Sequence, residues 1–176
     1  TIMEMEEGLD TGPMLMMERV SIGALDTTAT LHDKLAALGG TMIVAALREL
    51  QQGNLAPVPQ PEQGVTYAAK ISKDEAAIDF SLSAGEIARK IRAFNPFPGA
   101  HAQVNGVTIK IWGAQALPAG SATLPGQVLA ADAQHGIVVA CKEGTLRLNE
   151  LQKPGGKRLP AQEFLKGFPL EGLCFD

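Results

Sequence analysis

Apolar positions recur with two different periods along this chain, and the change from one to the other falls near its middle. Leu31, Leu35, Leu38, Met42, Ala45 and Leu50 keep the three-to-four spacing of one buried helix face. Asp26 predicts the N-cap of that helix, which runs to about Gln52 and stops at Gly53-Asn54. Gly39-Gly40 lies inside it at about 1 kcal/mol per glycine relative to alanine, which predicts a kink or two consecutive helices. Upstream, Thr1–Glu6 and Pro13–Val20 read as strands around a loop, Glu7–Gly12. A second helical pattern opens at Ser83, with Glu86 three residues on as the partner in a capping box. Ile87, Ile91 and Phe94 form its apolar stripe, and Arg89, Lys90 and Arg92 stand off that stripe. Asn95 is the expected left-handed C-cap, and Pro96 and Pro98 end the helix by removing donors.

Beyond Ala100 the period falls to two. Ala100–Val104 and Val107–Ala116 are predicted strands joined by Asn105-Gly106, a strong hairpin signal. Gly126–Ala131, Gly136–Ala140 and Thr145–Leu151 follow as strands, with turns at His135-Gly136 and Glu143-Gly144, and Pro160 starts a short helix through Lys166. Five short strands with a flanking helix predict a small open Greek-key barrel of the oligonucleotide-binding (OB) type. The first half, two strands and one helix, cannot close a core alone and reads as the remnant of a Rossmann-like α/β domain. The expected fold class is therefore α+β. The expected domains are residues 1–54, a stiff spacer at 55–69 containing Pro57, Pro59 and Pro61, and a barrel domain at 70–176.

The 176 residues are 45% hydrophobic, an ordinary share for a globular protein. No apolar run approaches the ~18 residues of a membrane span, so no membrane association is expected. No charged start precedes an apolar stretch, and no secretory signal is expected. The first residue is Thr1, and a truncated chain is expected. Two cysteines, Cys141 and Cys174, lack metal-ligand spacing and are too few for a disulfide framework, which points to a reducing cytoplasm and to no metal. Net charge is −4, yet Thr1–Val65 carries three Lys/Arg against nine Asp/Glu, while the remainder carries twelve against ten. The cations of the second part gather in two groups, Lys70 to Arg92 and Lys153 to Arg158, and clustering matters more than totals for binding a polyanion.

Several stretches resemble the methionyl-tRNA formyltransferases. They are Gly8-Leu-Asp-Thr-Gly12, Lys70-Ile-Ser-Lys73, Ile78-Asp-Phe80, Ile91-Arg-Ala-Phe-Asn-Pro-Phe-Pro-Gly99, and Leu146 through Lys153-Pro-Gly-Gly-Lys157-Arg158-Leu159. They occur in the family's order and cover nearly the whole chain. The resemblance implies transfer of a formyl group from 10-formyltetrahydrofolate to the α-amine of methionine on initiator tRNA, by a cytoplasmic enzyme taken as a monomer. It also implies a C-terminal barrel that binds the tRNA. Relatives using the same donor on an amino-sugar nucleotide or on folate itself, and a stand-alone RNA-binding barrel, are the alternative readings.

Asp10 is the sharpest candidate for chemistry. Read from the residues alone, Asp-Thr-Gly on a loop after a strand suits an Asx-turn as well as a catalytic carboxylate. The resemblance implies the latter: the family's Asp orients a His which, with an Asn, polarises the formyl carbonyl. The family's Asn and His have no match in this chain, and His32, His101 and His135 do not replace them, so the chain by itself is expected to transfer no formyl group. Lys70, Lys73, Arg89, Lys90, Arg92, Lys153, Lys157 and Arg158 are the candidate tRNA contacts, the last three on a Gly- and Pro-rich loop that lets backbone approach phosphate. Phe94, Phe97 and Trp112 are expected to pack in a helix–barrel seam rather than stack on bases. The methionines near the start are expected to fill a core, and Cys141 to be a small buried hydrophobe.

Overall fold

The computed structural model describes residues 1–118 and 123–176 and divides into two compact units, Thr1–Lys70 and Ile71–Asp176. The fold is α+β, as the periodicities predict.

In the first unit β1 (Ile2–Met3) and β2 (Met14–Met16) pair antiparallel, and α1 spans Thr28–Gln51. Its N-cap is Thr27, not Asp26. The Thr27 and Thr30 side chains each accept the other's backbone N–H, at 3.3 and 3.0 Å. Asp26 is occupied elsewhere, accepting from the Gly23 amide and from Lys34 at 2.7 Å each. Gly39-Gly40 does not divide α1, because the alanines and leucines around it hold one continuous helix. The predicted stripe is partly turned outward. Met42 and Ala46 are buried, whereas Leu35 and Leu50 are each 49% exposed. Met5 and Met17 also face solvent rather than a core. The proline segment is tied down, since Val58 exchanges two backbone hydrogen bonds with Met14 at 2.7 and 2.9 Å.

In the second unit α2 (Ala84–Ala93) begins with the predicted capping box: Ser83 Oγ accepts from the Glu86 amide and Glu86 accepts from the Ser83 amide. The strands are β3 (His101–Val104), β4 (Val107–Leu117), β5 (Val128–Asp132), β6 (Gly136–Ala140), β7 (Thr145–Gln152) and the short β8 (Leu159–Pro160), and α3 is Ala161–Gly167. They form one antiparallel sheet in the order β3-β4-β7-β6-β5, with β8 paired to β7. The C-terminal tail spans both edges of this sheet. It pairs with the lead-in to β5 through Phe175 N–H to Gly126 and Val128 N–H to Leu173, and reaches β3 through Asp176 N–H to Gln103, each at 2.9 Å. The core inside the curl contains Ile87 and Ile91 of α2, Ile109 and Ile111 of β4, Leu146 and Leu148 of β7, and Phe164 of α3, all at most 1% exposed. Burial of each such side chain contributes about 1.5–3 kcal/mol relative to exposure.

Asn95 is not in the left-handed conformation. Phe94 takes the C-cap position, and the Asn95 side chain instead donates to the Trp112 carbonyl at 2.9 Å. That bond fixes the end of α2 to β4, where the β4–β7 register slips around Gly113.

Candidate functional site

The Asp10 loop joins β1 to β2, with Asp10 in a left-handed conformation (φ 56°). Two features brace the loop. A Cβ on Gly12 would lie 1.9 Å from the Glu4 carbonyl oxygen, so only glycine permits this approach. The Gln60 amide donates to the carbonyls of Asp10 and Gly12 at 2.8 and 2.7 Å. Gln60 carried no signal in the sequence, since a glutamine among prolines is ordinary spacer composition. The Asp10 side chain is exposed, and among the described residues none of the three histidines is hydrogen-bonded to it. His32 is beside Asp33 on α1, His101 opens β3, and His135 Nδ1 is 2.9 Å from Asp132 at the β5–β6 turn.

The basic residues of the second unit divide by geometry. On α2, Lys90 Nζ is turned onto the Ala77 carbonyl at 2.7 Å and Arg92 onto the Ala88 carbonyl at 3.2 Å. Lys153 Nζ is held by the Gly167 carbonyl at 3.1 Å, above the Phe168 ring. Lys73, Arg89 and Lys157 are exposed and have no ion pair among the described residues, and the same is true of Lys70 at the end of the first unit.

Arg158 is placed by Trp112. Strand alternation puts Thr108, Lys110 and Trp112 on the outer face of β4, opposite the inward Ile109 and Ile111. Trp112 is nevertheless only 6% exposed, because loops cover it. The Arg158 guanidinium lies 3.5 Å from the ring centre, Lys110 Nζ lies 5.4 Å from it, and the Gly99 backbone abuts the ring edge. The indole N–H donates to Gln152 Oε1 at 2.8 Å, and the Gln152 amide donates to the Gly156 carbonyl at 2.7 Å, which anchors the Lys153–Arg158 loop. The end of α2 and this loop, separate in sequence, are thus both fastened to Trp112. Lys110 was absent from the predicted contacts, although its alternation with Ile109 and Ile111 was legible. It lines a groove of about 370 Å³ with Thr108, Gln152 and Lys153–Gly155.

Phe97 departs from the expected seam. Phe94 is half-buried and Trp112 buried, but Phe97 is 62% exposed. Cys141 follows β6 and is buried as expected, and burial pushes its thiol up to about 11. Among the described residues no His/Cys/Asp/Glu group could hold a metal ion, and no helix is long and apolar enough to cross a membrane.

A second unit built as a curled antiparallel sheet with α2 packed on it, and a first unit of hairpin and helix carrying the Asp10 loop, are two parts of one family. The profile of "Formyl transferase, C-terminal domain" matches residues 70–169, and that of "Formyl transferase" matches residues 1–47. The chain belongs to the formyl transferase family, a family of one-carbon transferases. Similar relatives are methionyl-tRNA formyltransferases. Those of Herminiimonas arsenicoxydans and Janthinobacterium sp. (strain Marseille) are 62% and 63% identical over 175 residues, and that of Ralstonia nicotianae is 59% identical over 172. The first two alignments cover 99% of this chain, which spans 55% of the length of each relative. The third covers 97% of the chain and 52% of the relative. Among solved structures, HypX from Aquifex aeolicus in complex with tetrahydrofolic acid shares the fold, with a TM-score of 0.68 at 21% identity over 94% of this chain and 30% of its own. A HypX variant gives 0.70 at 21% identity over 96% and 31%.

Proposed function

We propose that this chain serves formyl transfer from 10-formyltetrahydrofolate to the methionine α-amine of initiator tRNA, as the tRNA-gripping portion of a methionyl-tRNA formyltransferase. In this reading residues 1–54 belong to the catalytic domain, 55–69 connect, and 70–176 bind the tRNA, in a monomeric cytoplasmic enzyme. The observation that carries it is the 62% identity to a methionyl-tRNA formyltransferase over 99% of the chain. The loop anchored on Trp112 supports it further. An A-form stem offers mainly phosphates, 2′-hydroxyls and shape, and exposed cations on a Gly-rich loop suit phosphates. Lys157 and Arg158 are the central contacts of this reading, with Lys70, Lys73 and Arg89 as further exposed cations. Lys90, Arg92 and Lys153 stay nearby but are turned onto backbone carbonyls.

Asp10 is the proposed catalytic carboxylate. With no imidazole bonded to it among the described residues, it has nothing through which to polarise a formyl carbonyl. The chain alone is accordingly a tRNA binder without turnover. The experiment is a titration of initiator tRNA against the purified chain over a salt series, run beside a formyl-transfer assay. Affinity should fall steeply with salt. The pair Lys157→Ala, Arg158→Ala should flatten the log–log slope by about 0.7–0.9 for each phosphate no longer neutralised. Salt-independent binding would refute the grip, and measurable turnover would refute the incompleteness.

A further inference from the structure

Phe97 is a large apolar ring at the surface of a unit whose other phenylalanines are buried or half-buried. Its backbone is held on both sides. Pro96 and Pro98 flank it, the Gly99 amide donates to the Phe94 carbonyl at 2.9 Å, and Asn95 is bonded to β4. Its neighbour Pro98 accepts from Lys110 Nζ at 3.2 Å, so an ammonium group is bonded to the residue that follows Phe97. Lys110 in turn shares the Trp112 indole with Arg158 and lines the groove along Gln152 and Lys153–Gly155. An exposed aromatic whose chain neighbour Pro98 holds one cation, itself on the indole that carries Arg158, has the makings of a stacking site for a base whose phosphate is neutralised alongside.

We propose that Phe97 stacks on an unpaired nucleotide of RNA, with Arg158 facing an adjoining phosphate. This rests on the RNA-binding reading above and adds a contact that a paired stem cannot make, because only an unstacked base exposes its face to a side chain.

The test measures the full chain against initiator tRNA and against a blunt-ended RNA duplex without unpaired nucleotides. Phe97→Ala should lower affinity for the tRNA roughly 5- to 100-fold and leave the duplex affinity and both salt slopes unchanged. Phe97→Tyr should keep the tRNA affinity, since it retains the ring. An unchanged tRNA affinity in Phe97→Ala, or an equal loss on both RNAs, overturns the stacking contact. If Lys157→Ala with Arg158→Ala still weakens binding in that case, RNA binding stands without Phe97. Absence of binding to either RNA by the unaltered chain removes both.

Discussion

The guanidinium carbon of Arg158 lies 3.5 Å from the centre of the Trp112 ring, so a basic loop of the second unit rests on a buried side chain of β4. The stack explains how a loop with two consecutive glycines keeps a defined shape. The loop's ties include the Gln152 amide to the Gly156 carbonyl, Lys153 to the Gly167 carbonyl, and the Arg158 stack on Trp112.

Trp112→Ala should therefore cost about 3–5 kcal/mol, the usual range for emptying a buried aromatic site. Trp112→Phe should cost less, because a ring face remains for Arg158 while the bond to Gln152 is lost, at about 1 kcal/mol for that bond. Arg158→Lys should free the loop with little change in global stability, since a lysine does not reproduce the planar stack. Urea midpoints measure the first two, and faster amide exchange at Gly156 measures the third.

The Asp10 loop should respond to its two braces differently. Gly12→Ala forces a methyl group into the Glu4 carbonyl and should destabilise the β1–β2 hairpin by about 1–3 kcal/mol or more. Gln60→Ala removes two donors to backbone and should cost about 1 kcal/mol per bond without any clash. Amide exchange at Glu4, whose N–H bonds Pro13, reports both. Equal protection in all three proteins would contradict the bracing.

Acid should loosen the start of α1 at a defined pH. The ammonium of Lys34, then the Gly23 amide and the Thr30 hydroxyl, hold the Asp26 carboxyl at about 2, below its ordinary 3.8. A carboxyl lowered by folding adds stability that is complete above the unfolded value and is lost as pH falls through the folded one. Melting of the first unit should therefore become pH-sensitive between about 4 and 2, and Asp26→Asn should remove that part of the dependence. An unchanged profile in the variant would assign the acid response to other carboxyls.

The two cysteines should differ in reactivity. Cys174 is exposed, whereas burial raises the Cys141 thiol to about 11 from 9.0. At neutral pH iodoacetamide should alkylate Cys174 in the native protein and Cys141 only on unfolding, as counted by mass. A thiol raised by folding gives stability that is full below its unfolded value and declines as pH rises to the folded one. Cys141→Ala should therefore flatten any fall in the urea midpoint between about pH 9 and 11.

What could be read directly from the residues is what local geometry controls. Asn105-Gly106 announces a hairpin because both residues accept positive φ, and they adopt 51° and 72°. Ser83 and Glu86 are one helical turn apart, so their reciprocal bonds follow from spacing alone. Alternation from His101 to Ile111 sorts inward from outward side chains for the same reason. At Asp26, by contrast, two capping residues stand next to each other, and the nearby Lys34 and Gly23 decide which of them caps. Leu35 and Leu50 show that a helical period identifies an apolar stripe without identifying what covers it.

The sequence by itself determined the family, the α+β class, the order of elements and the two basic clusters, since these depend on composition, spacing and backbone sterics within a few residues. Tertiary structure alone decided that Phe97 is exposed, that Gln60 braces Asp10 from 50 residues away, and that Lys110 and Arg158 share the Trp112 ring. Each of these depends on contacts between segments far apart in the chain, whose meeting is set by packing of the whole and leaves no local pattern to read.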